Sequence, residues 1–139
     1  MNQRQVIFLT ADAVLFVNEN GRRRVLLIKR RNDPFKNQWA LPGGFIEHNE
    51  LAVQACQREL FEETGVNLSR EDLCFVNYYD EISRDPRGRT ITFAFASTLT
   101  TQPDVLANDD ALEADWFFAD QLPKLAFDHL QIIQDALQL

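Results

Sequence analysis

Apolar positions crowd residues 6–17, which are rich in Val, Ile, Leu and Phe and predict a strand. The short run Val25-Leu26-Leu27-Ile28 predicts a second, buried strand, and Asn20-Gly21 between them supplies a hairpin turn. Residues 30–38 are polar and read as a loop leading into a tight turn at Pro42-Gly43-Gly44. Residues 51–64 hold no Gly or Pro and are dominated by Ala, Leu, Gln, Arg and Glu, so a helix is predicted there. Gly65 stands just past its end, where a left-handed closing residue is usual. Further along, residues 73–79 and 115–118 are strand candidates, and residues 90–96 alternate large and small with period two. Asp128 with Gln131 makes a capping-box pattern, and Phe127 with Ile132 fits a hydrophobic staple, so a last helix is predicted to about Gln138. These elements predict an α/β fold: a mixed sheet with helices packed against it.

At 139 residues, with no repeat, low-complexity stretch or linker, the chain is predicted to form a single domain, residues 1–139. Its 45% hydrophobic content, with eleven Phe, predicts a packed core. The formal charge is −7 and no Lys or Arg run is long enough for a nucleic-acid patch, so a nucleic-acid partner is not expected. Cys56 and Cys74 define neither a disulfide framework nor a C-x-x-C metal site; Cys56, inside the predicted helix, reads as a small buried thiol. Met1-Asn2-Gln3-Arg4-Gln5 lacks the apolar core of a signal peptide, and no apolar run approaches membrane-spanning length. A cytoplasmic protein without a membrane partner is expected.

The chemistry lies on the first predicted helix. Glu59, Glu62 and Glu63 stand at i, i+3 and i+4, so their carboxylates share one face. Carboxylates so placed repel one another unless a cation lies between them, and oxygen ligands suit Mg²⁺ or Mn²⁺. Arg58 can reach Glu62 at i+4 and brace the cluster. A glutamate-rich helix end is also an ordinary solvated surface, but the small residues Ala52, Ala55 and Cys56 continue the same stripe, which implies a packed face. Pro42-Gly43-Gly44 lets a backbone carbonyl approach, because Gly has no side chain to block it.

Nine residues, Gly44, Glu50, Arg58, Glu59, Leu60, Glu62, Glu63, Gly65 and Val66, fit the spacing G-x5-E-x7-R-E-U-x-E-E-x-G-U, with U aliphatic. A chance match has a probability on the order of 10⁻⁸ at average residue usage. The chain resembles the Nudix hydrolases over this 23-residue motif, and Trp39 to Glu47 before it fits them too. The resemblance implies an α/β/α sandwich with a mixed sheet and a Mg²⁺ or Mn²⁺ cofactor. It implies metal ligands at the Gly43 carbonyl and at Glu59, Glu62 and Glu63, with Glu50 supporting the site or holding a further ion.

Nudix enzymes cleave a nucleoside diphosphate linked to another group, and the flanking loops choose that group. Here the segment from Ser83 to Thr90, the segment from Asp109 to Phe117, and Leu125-Ala126-Phe127-Asp128-His129 resemble the ADP-ribose pyrophosphatase branch. The resemblance implies hydrolysis of ADP-ribose to AMP and ribose 5-phosphate, in a homodimer. Arg30, Arg31, Arg84, Arg87 and Arg89 are candidate pyrophosphate ligands, because guanidinium groups match phosphate geometry; each also reads as a solvated surface Arg. Phe35, Trp39 and Tyr79 can stack on adenine or pack in the fold, and His129 can bind substrate or cap a helix. Asp110 and Glu113 are the candidates outside the motif for a base that activates water, with an exposed acidic loop as the other reading. Hydrolysis of nucleoside triphosphates or dinucleoside polyphosphates is the alternative within enzymes. Sensing ADP-ribose without cutting it is the alternative of another class; such regulators carry a DNA-binding winged helix, which a chain ending at Leu139 is expected to lack.

Overall fold

A computed structural model describes residues 3–139. The elements, in chain order, are β1 (Phe8–Glu19), β2 (Arg22–Arg30), β3 (Trp39–Ala40), β4 (Gly43–Phe45), α1 (Ala52–Thr64), β5 (Cys74–Tyr79), β6 (Thr90–Leu99), β7 (Ala111–Phe118) and α2 (His129–Ala136). A single 3-10 turn at Arg70–Asp72 leads into β5. The expected mixed α/β architecture is what forms: a seven-stranded sheet in the order β3-β2-β1-β6-β5, with β4 on β1 and β7 on β2.

β1 organises everything else. Along it, Ala11, Ala13, Leu15 and Val17 pack with Ala55, Cys56 and Leu60 of α1, while Val14 and Phe16 pack with Ile132, Ile133 and Ala136 of α2. The period-two alternation of a strand thus feeds two apolar cores, one on each face of the sheet. One edge of β1 pairs in parallel with all of β6, from Phe8↔Thr90 to Val17↔Leu99. The other edge is divided. β4 takes Thr10 to Asp12 and β2 takes Phe16 to Glu19, both antiparallel. Beyond Val25 β2 leaves β1 and pairs on that edge with β3, while β7 runs along its other edge from Arg24 to Arg30, so the sheet splits.

Local sequence accounts for the turns. Asn20 and Gly21 both lie at positive φ, 50° and 81°, which matches a two-residue hairpin whose twist suits its strands. α1 starts where the Gln54 side chain accepts the Leu51 N–H at 2.8 Å, and it ends at Gly65, φ 79°, whose N–H reaches the Phe61 carbonyl at 2.9 Å. Among the described residues no helix is long and apolar enough to cross a membrane.

Four expectations need correction. β1 begins at Phe8, because Val6 and Ile7 find no ladder partner. Pro42-Gly43-Gly44 is not a free turn, since Gly43 and Gly44 lie in β4. Asp128 does not cap α2 with its side chain, nor does Gln131 reach back to it; Arg84 takes the Asp128 carboxylate and Gln131 donates to Asp135. The staple also fails, for Phe127 sits at φ 52° and packs on Phe35, whereas Ile132 belongs to the other apolar cluster.

A Cβ placed on Gly65 would meet no atom within 4 Å, so only the left-handed backbone opposes a side chain there. Gly65→Ala should therefore destabilise the fold by about 1 kcal/mol, read as a lower urea midpoint with an unchanged m-value.

Candidate active site

The motif glutamates meet β4 through its two glycines. Neighbouring positions of a strand point to opposite faces, so Gly44 lacks a side chain on the α1 face and Gly43 lacks one on the α2 face. A Cβ on Gly44 would lie 2.5 Å from the Glu59 carboxylate, and one on Gly43 would collide with Asp12 Oδ1. Each glycine therefore makes room for a carboxylate, one on either side of the sheet. The Gly43 N–H donates to Glu63 Oε1 at 2.8 Å rather than to β1. That makes Gly43 a position outside the β1–β4 hydrogen-bond pairs, so its carbonyl also points away from β1, toward the motif helix.

Arg58 ties these parts together. Its guanidinium donates to Glu50 at 2.7 and 3.0 Å, to Glu59 at 2.9 Å, to Glu62 at 3.2 Å and to the Phe45 carbonyl at 2.9 Å. The hydrogen bond from Arg58 holds Glu50 below the usual carboxylate range. Burial pushes Glu59 up in spite of Arg58. Glu63 is pushed well up by burial, against the pull of the Gly43 N–H, with Glu59, Asp12 and Asp110 adding repulsion.

Beside this edge, where the sheet splits, a cavity of about 340 Å³ opens toward the α2 face. Its size suits a small ligand. Glu59, Glu63, Gly43 and Gly44 form one side; Arg30, Arg31, Arg84, Arg87, Asp110, Phe127 and His129 contribute to the rest.

The NUDIX domain pattern matches residues 8–136. The chain belongs to the Nudix family. It is 45% identical over 115 residues to the ADP-ribose pyrophosphatase of Methanocaldococcus jannaschii, covering 83% of this chain and 66% of that one. It is 31% identical over 132 residues to the ADPR responsive transcriptional repressor NtrR of Acinetobacter baylyi, covering 92% of this chain and 52% of the repressor. The chain thus spans between half and two thirds of the length of these relatives. Among solved structures it matches the Nudix domain of Shewanella oneidensis NrtR complexed with ADP ribose, with TM-score 0.86 and 35% identity, covering 97% of this chain and 89% of that one. It also matches the bifunctional NMN adenylyltransferase/ADP ribose pyrophosphatase of Francisella tularensis complexed with AMP and a manganese ion, with TM-score 0.83 and 34% identity, covering 99% of this chain and 43% of that one.

Within this Nudix site the expected residues divide. Glu59, Glu63 and Gly43 line the cavity, whereas Glu50 and Glu62 stand behind them as partners of Arg58. Asp110 lines the cavity; Glu113 is exposed on β7 and pairs with Lys29 at 3.3 Å, because its position on the strand faces away. Arg30, Arg31, Arg84 and Arg87 line the cavity and Arg89 does not. Arg84 is already engaged by Asp128 through two bonds of 2.8 and 2.6 Å. Arg87 rests on Asp85 and lies over the rings of Phe45 and Phe127, and Arg30 lies over Phe127 from the other direction. Phe35 and Trp39 do not line the cavity and pack edge-on against Phe127 and Phe117, and the Tyr79 hydroxyl donates to Asp135 at 2.7 Å. His129 lines the cavity wall, with Nδ1 accepting the Leu41 N–H at 2.9 Å.

Two buried carboxylates of the cavity wall were missed. Asp12 is 6% exposed and Asp85 4%. Asp12 had a signal: it is the only charged residue in residues 6–17, an otherwise apolar strand with Thr10 as its other polar position. Asp85 had none, since its role follows from the fold of its loop.

A divalent cation fits this donor set. Among the described residues no three His, Cys, Asp or Glu side chains already form a closed cage. Mg²⁺ needs none, as it is commonly held by one or two carboxylates together with water and substrate phosphates. Glu59 and Glu63, both carboxylates that burial disfavours as anions, supply that pair, and the Gly43 carbonyl points to the same edge.

The raised glutamates have a stability consequence. An acid whose folded pKa lies above its unfolded value stabilises the fold below the unfolded pKa, and this contribution disappears as pH rises through the folded one. The metal-free protein should therefore lose stability between mildly acidic and neutral pH on account of Glu63 and Glu59. Glu63→Gln keeps an oxygen for the Gly43 N–H and removes the charge. In EDTA it should melt about 4 °C above wild type at pH 7.5, as about 1 kcal/mol would give, with a smaller gain at pH 5. An equal gain at both values, measured by calorimetry, would contradict the assignment.

Proposed function

We propose that the protein hydrolyses the pyrophosphate of a nucleoside diphosphate linked to a second group, with ADP-ribose as substrate and AMP and ribose 5-phosphate as products. The observation that carries this reading is the meeting, in one cavity, of the Glu59–Glu63 edge with the guanidinium groups of Arg30, Arg31 and Arg87. An acidic edge alone would repel a phosphate, and a basic wall alone would bind one without cutting it. The similarity to an ADP-ribose pyrophosphatase and to a Nudix domain complexed with ADP ribose supports the choice of substrate.

Glu59, Glu63 and the Gly43 carbonyl would hold Mg²⁺ or Mn²⁺. When bound, the cation neutralises charge on the pyrophosphate and makes an attacking water more acidic. Arg30 can grip phosphate oxygens, because its present contacts are a ring face and the Pro34 carbonyl, while Arg87, bound through Nε and Nη2 to the buried Asp85 carboxylate, offers its remaining Nη1 donors. Arg84 braces α2, since the Nε–Nη2 edge of its guanidinium is spent on Asp128. In the reaction the water oxygen bonds one phosphorus, the bridging P–O bond breaks, and the water proton passes to a cavity carboxylate. Of the two carboxylates expected for it outside the motif, Asp110 lines the cavity and Glu113 does not, so Asp110 takes this role. Glu62 and Glu50 act through Arg58, keeping Glu59 in place.

The protein is proposed to work in the cytoplasm as a homodimer; Phe8, Phe45, Phe61 and Phe75 each remain more than 40% exposed, which leaves apolar surface for a second copy. Light scattering at micromolar concentration should return twice the chain mass. A second reading follows from the similarity to the Acinetobacter repressor: ADP-ribose bound as a signal.

A panel of ADP-ribose, nucleoside triphosphates and dinucleoside polyphosphates with Mg²⁺ or Mn²⁺ tests the reading. ADP-ribose should give the highest kcat/KM, with activity abolished by EDTA. Glu59→Gln and Glu63→Gln should each lower kcat by about a hundredfold or more, the scale for losing a group that stabilises transition-state charge. Binding of ADP-ribose without turnover in either metal would favour the sensing reading, and faster cleavage of a triphosphate would replace the substrate.

A further inference from the structure

Two polar groups on the cavity wall, both on buried residues, lack a partner within the protein among the described residues. Asp12 is 6% exposed and lines the cavity. Its Oδ2 accepts the Thr92 hydroxyl at 2.6 Å, while among the described residues no donor reaches Oδ1. His129 is 4% exposed and lines the same wall. Its Nδ1 accepts the Leu41 N–H, so the hydrogen of the neutral ring sits on Nε2. Burial lowers the His129 pKa, which keeps the ring neutral. Nε2 stands 3.7 Å from Asp12 Oδ2, beyond a hydrogen bond. A donor and an acceptor are therefore left side by side on the cavity wall, available to a ligand.

The chemistry narrows what that is. A phosphate would be repelled by the Asp12 carboxylate, and a cation by the Nε2 hydrogen. A hydroxyl both donates and accepts, so it satisfies the two at once. We infer that Asp12 and His129 bind a ribose hydroxyl of the substrate and so set specificity for a sugar-bearing ligand. This rests on the ADP-ribose reading and deepens it. Gly43 is part of the device, because a side chain there would occupy the space of Asp12 Oδ1. ADP-ribose carries two riboses, and either could present the hydroxyl.

Initial-rate kinetics of wild type and Asp12→Asn, with Mg²⁺ present, test the inference on three ligands. The first is ADP-ribose. The second is ADP capped with a methyl group, which lacks the terminal ribose, and the third is an ADP-ribose whose adenosine ribose lacks its 2′- and 3′-hydroxyls. Asp12→Asn keeps the volume and an oxygen for Thr92, and presents an amide where the free carboxylate oxygen stood. The Asn penalty in kcat/KM should be at least tenfold larger for ADP-ribose than for one truncated ligand, carried by KM, as loss of a hydrogen bond to a charged group implies. The truncation that removes the difference identifies the sugar. A penalty shared within tenfold by all three ligands would overturn the inference and leave Asp12 as a tie between β1 and β6. The wild type alone supplies a check that does not depend on the variant folding. If both truncated ligands are cut within tenfold of ADP-ribose, no hydroxyl is being read and the inference fails. Failure of the wild type to cut ADP-ribose would remove the substrate reading itself, an outcome distinct from the other two.

Discussion

The arrangement depends on how closely β4 lies to two carboxylates. Gly44 leaves no more than the space Glu59 fills on one face of the sheet, and Gly43 leaves the space Asp12 fills on the other. Any side chain at either position would push a carboxylate out of the cavity. Because β4 is only three residues long and is held to β1 by the Thr10–Asp12 register, it cannot move aside without losing its pairing. The same pairing leaves the Gly43 N–H and carbonyl facing the motif helix. One short strand thus fixes the distance between the backbone and the acidic groups on both faces.

That closeness has an electrostatic cost, which the site retains. Burial favours the neutral forms of Glu59 and Glu63, and Arg58 relieves only Glu59 directly. A cation completes what Arg58 leaves undone, so the resting site is poised to bind one. The net charge of −7 is then no obstacle to a phosphate ligand. Arg30, Arg31, Arg84 and Arg87 supply positive charge to the same cavity wall.

What could be read from the chain follows the range of the interactions. α1, its Gly65 terminus, the Asn20-Gly21 hairpin and the alternation of β6 depend on neighbours in sequence, and all were legible. The contact of Arg58 with Glu62 was legible too, as a one-turn spacing on a helix. The strands β3 and β4 were not, since two or three residues carry no periodicity of their own and form only because β1 and β2 offer edges. The cap expected at Asp128 failed for a related reason: Arg84, 44 residues away, competes for the same carboxylate and wins with two charge-assisted bonds. Glu113 and Asp110 looked equivalent in the loop, yet Glu113 falls inside β7, opposite Lys29, while Asp110 stays in the turn before it and lines the cavity.

The two faces of the sheet also separate two tasks. The motif helix packs on the face of Ala11 and Ala13, and it supplies the carboxylates that bear on bond cleavage. The face of Asp12 and Val14 is covered by α2 and by the loop before β6, and it supplies the groups that would grip a ligand. These belong to distant parts of the chain, joined at the split in the edge of β1. A change in the loop before β6 or at the start of α2 can therefore alter the ligand while Glu59, Glu63 and Gly43 keep their relation to one another. The reverse does not hold. A residue with a side chain at position 43 would reach Asp12 directly, so the short strand is where cleavage and recognition cannot vary independently.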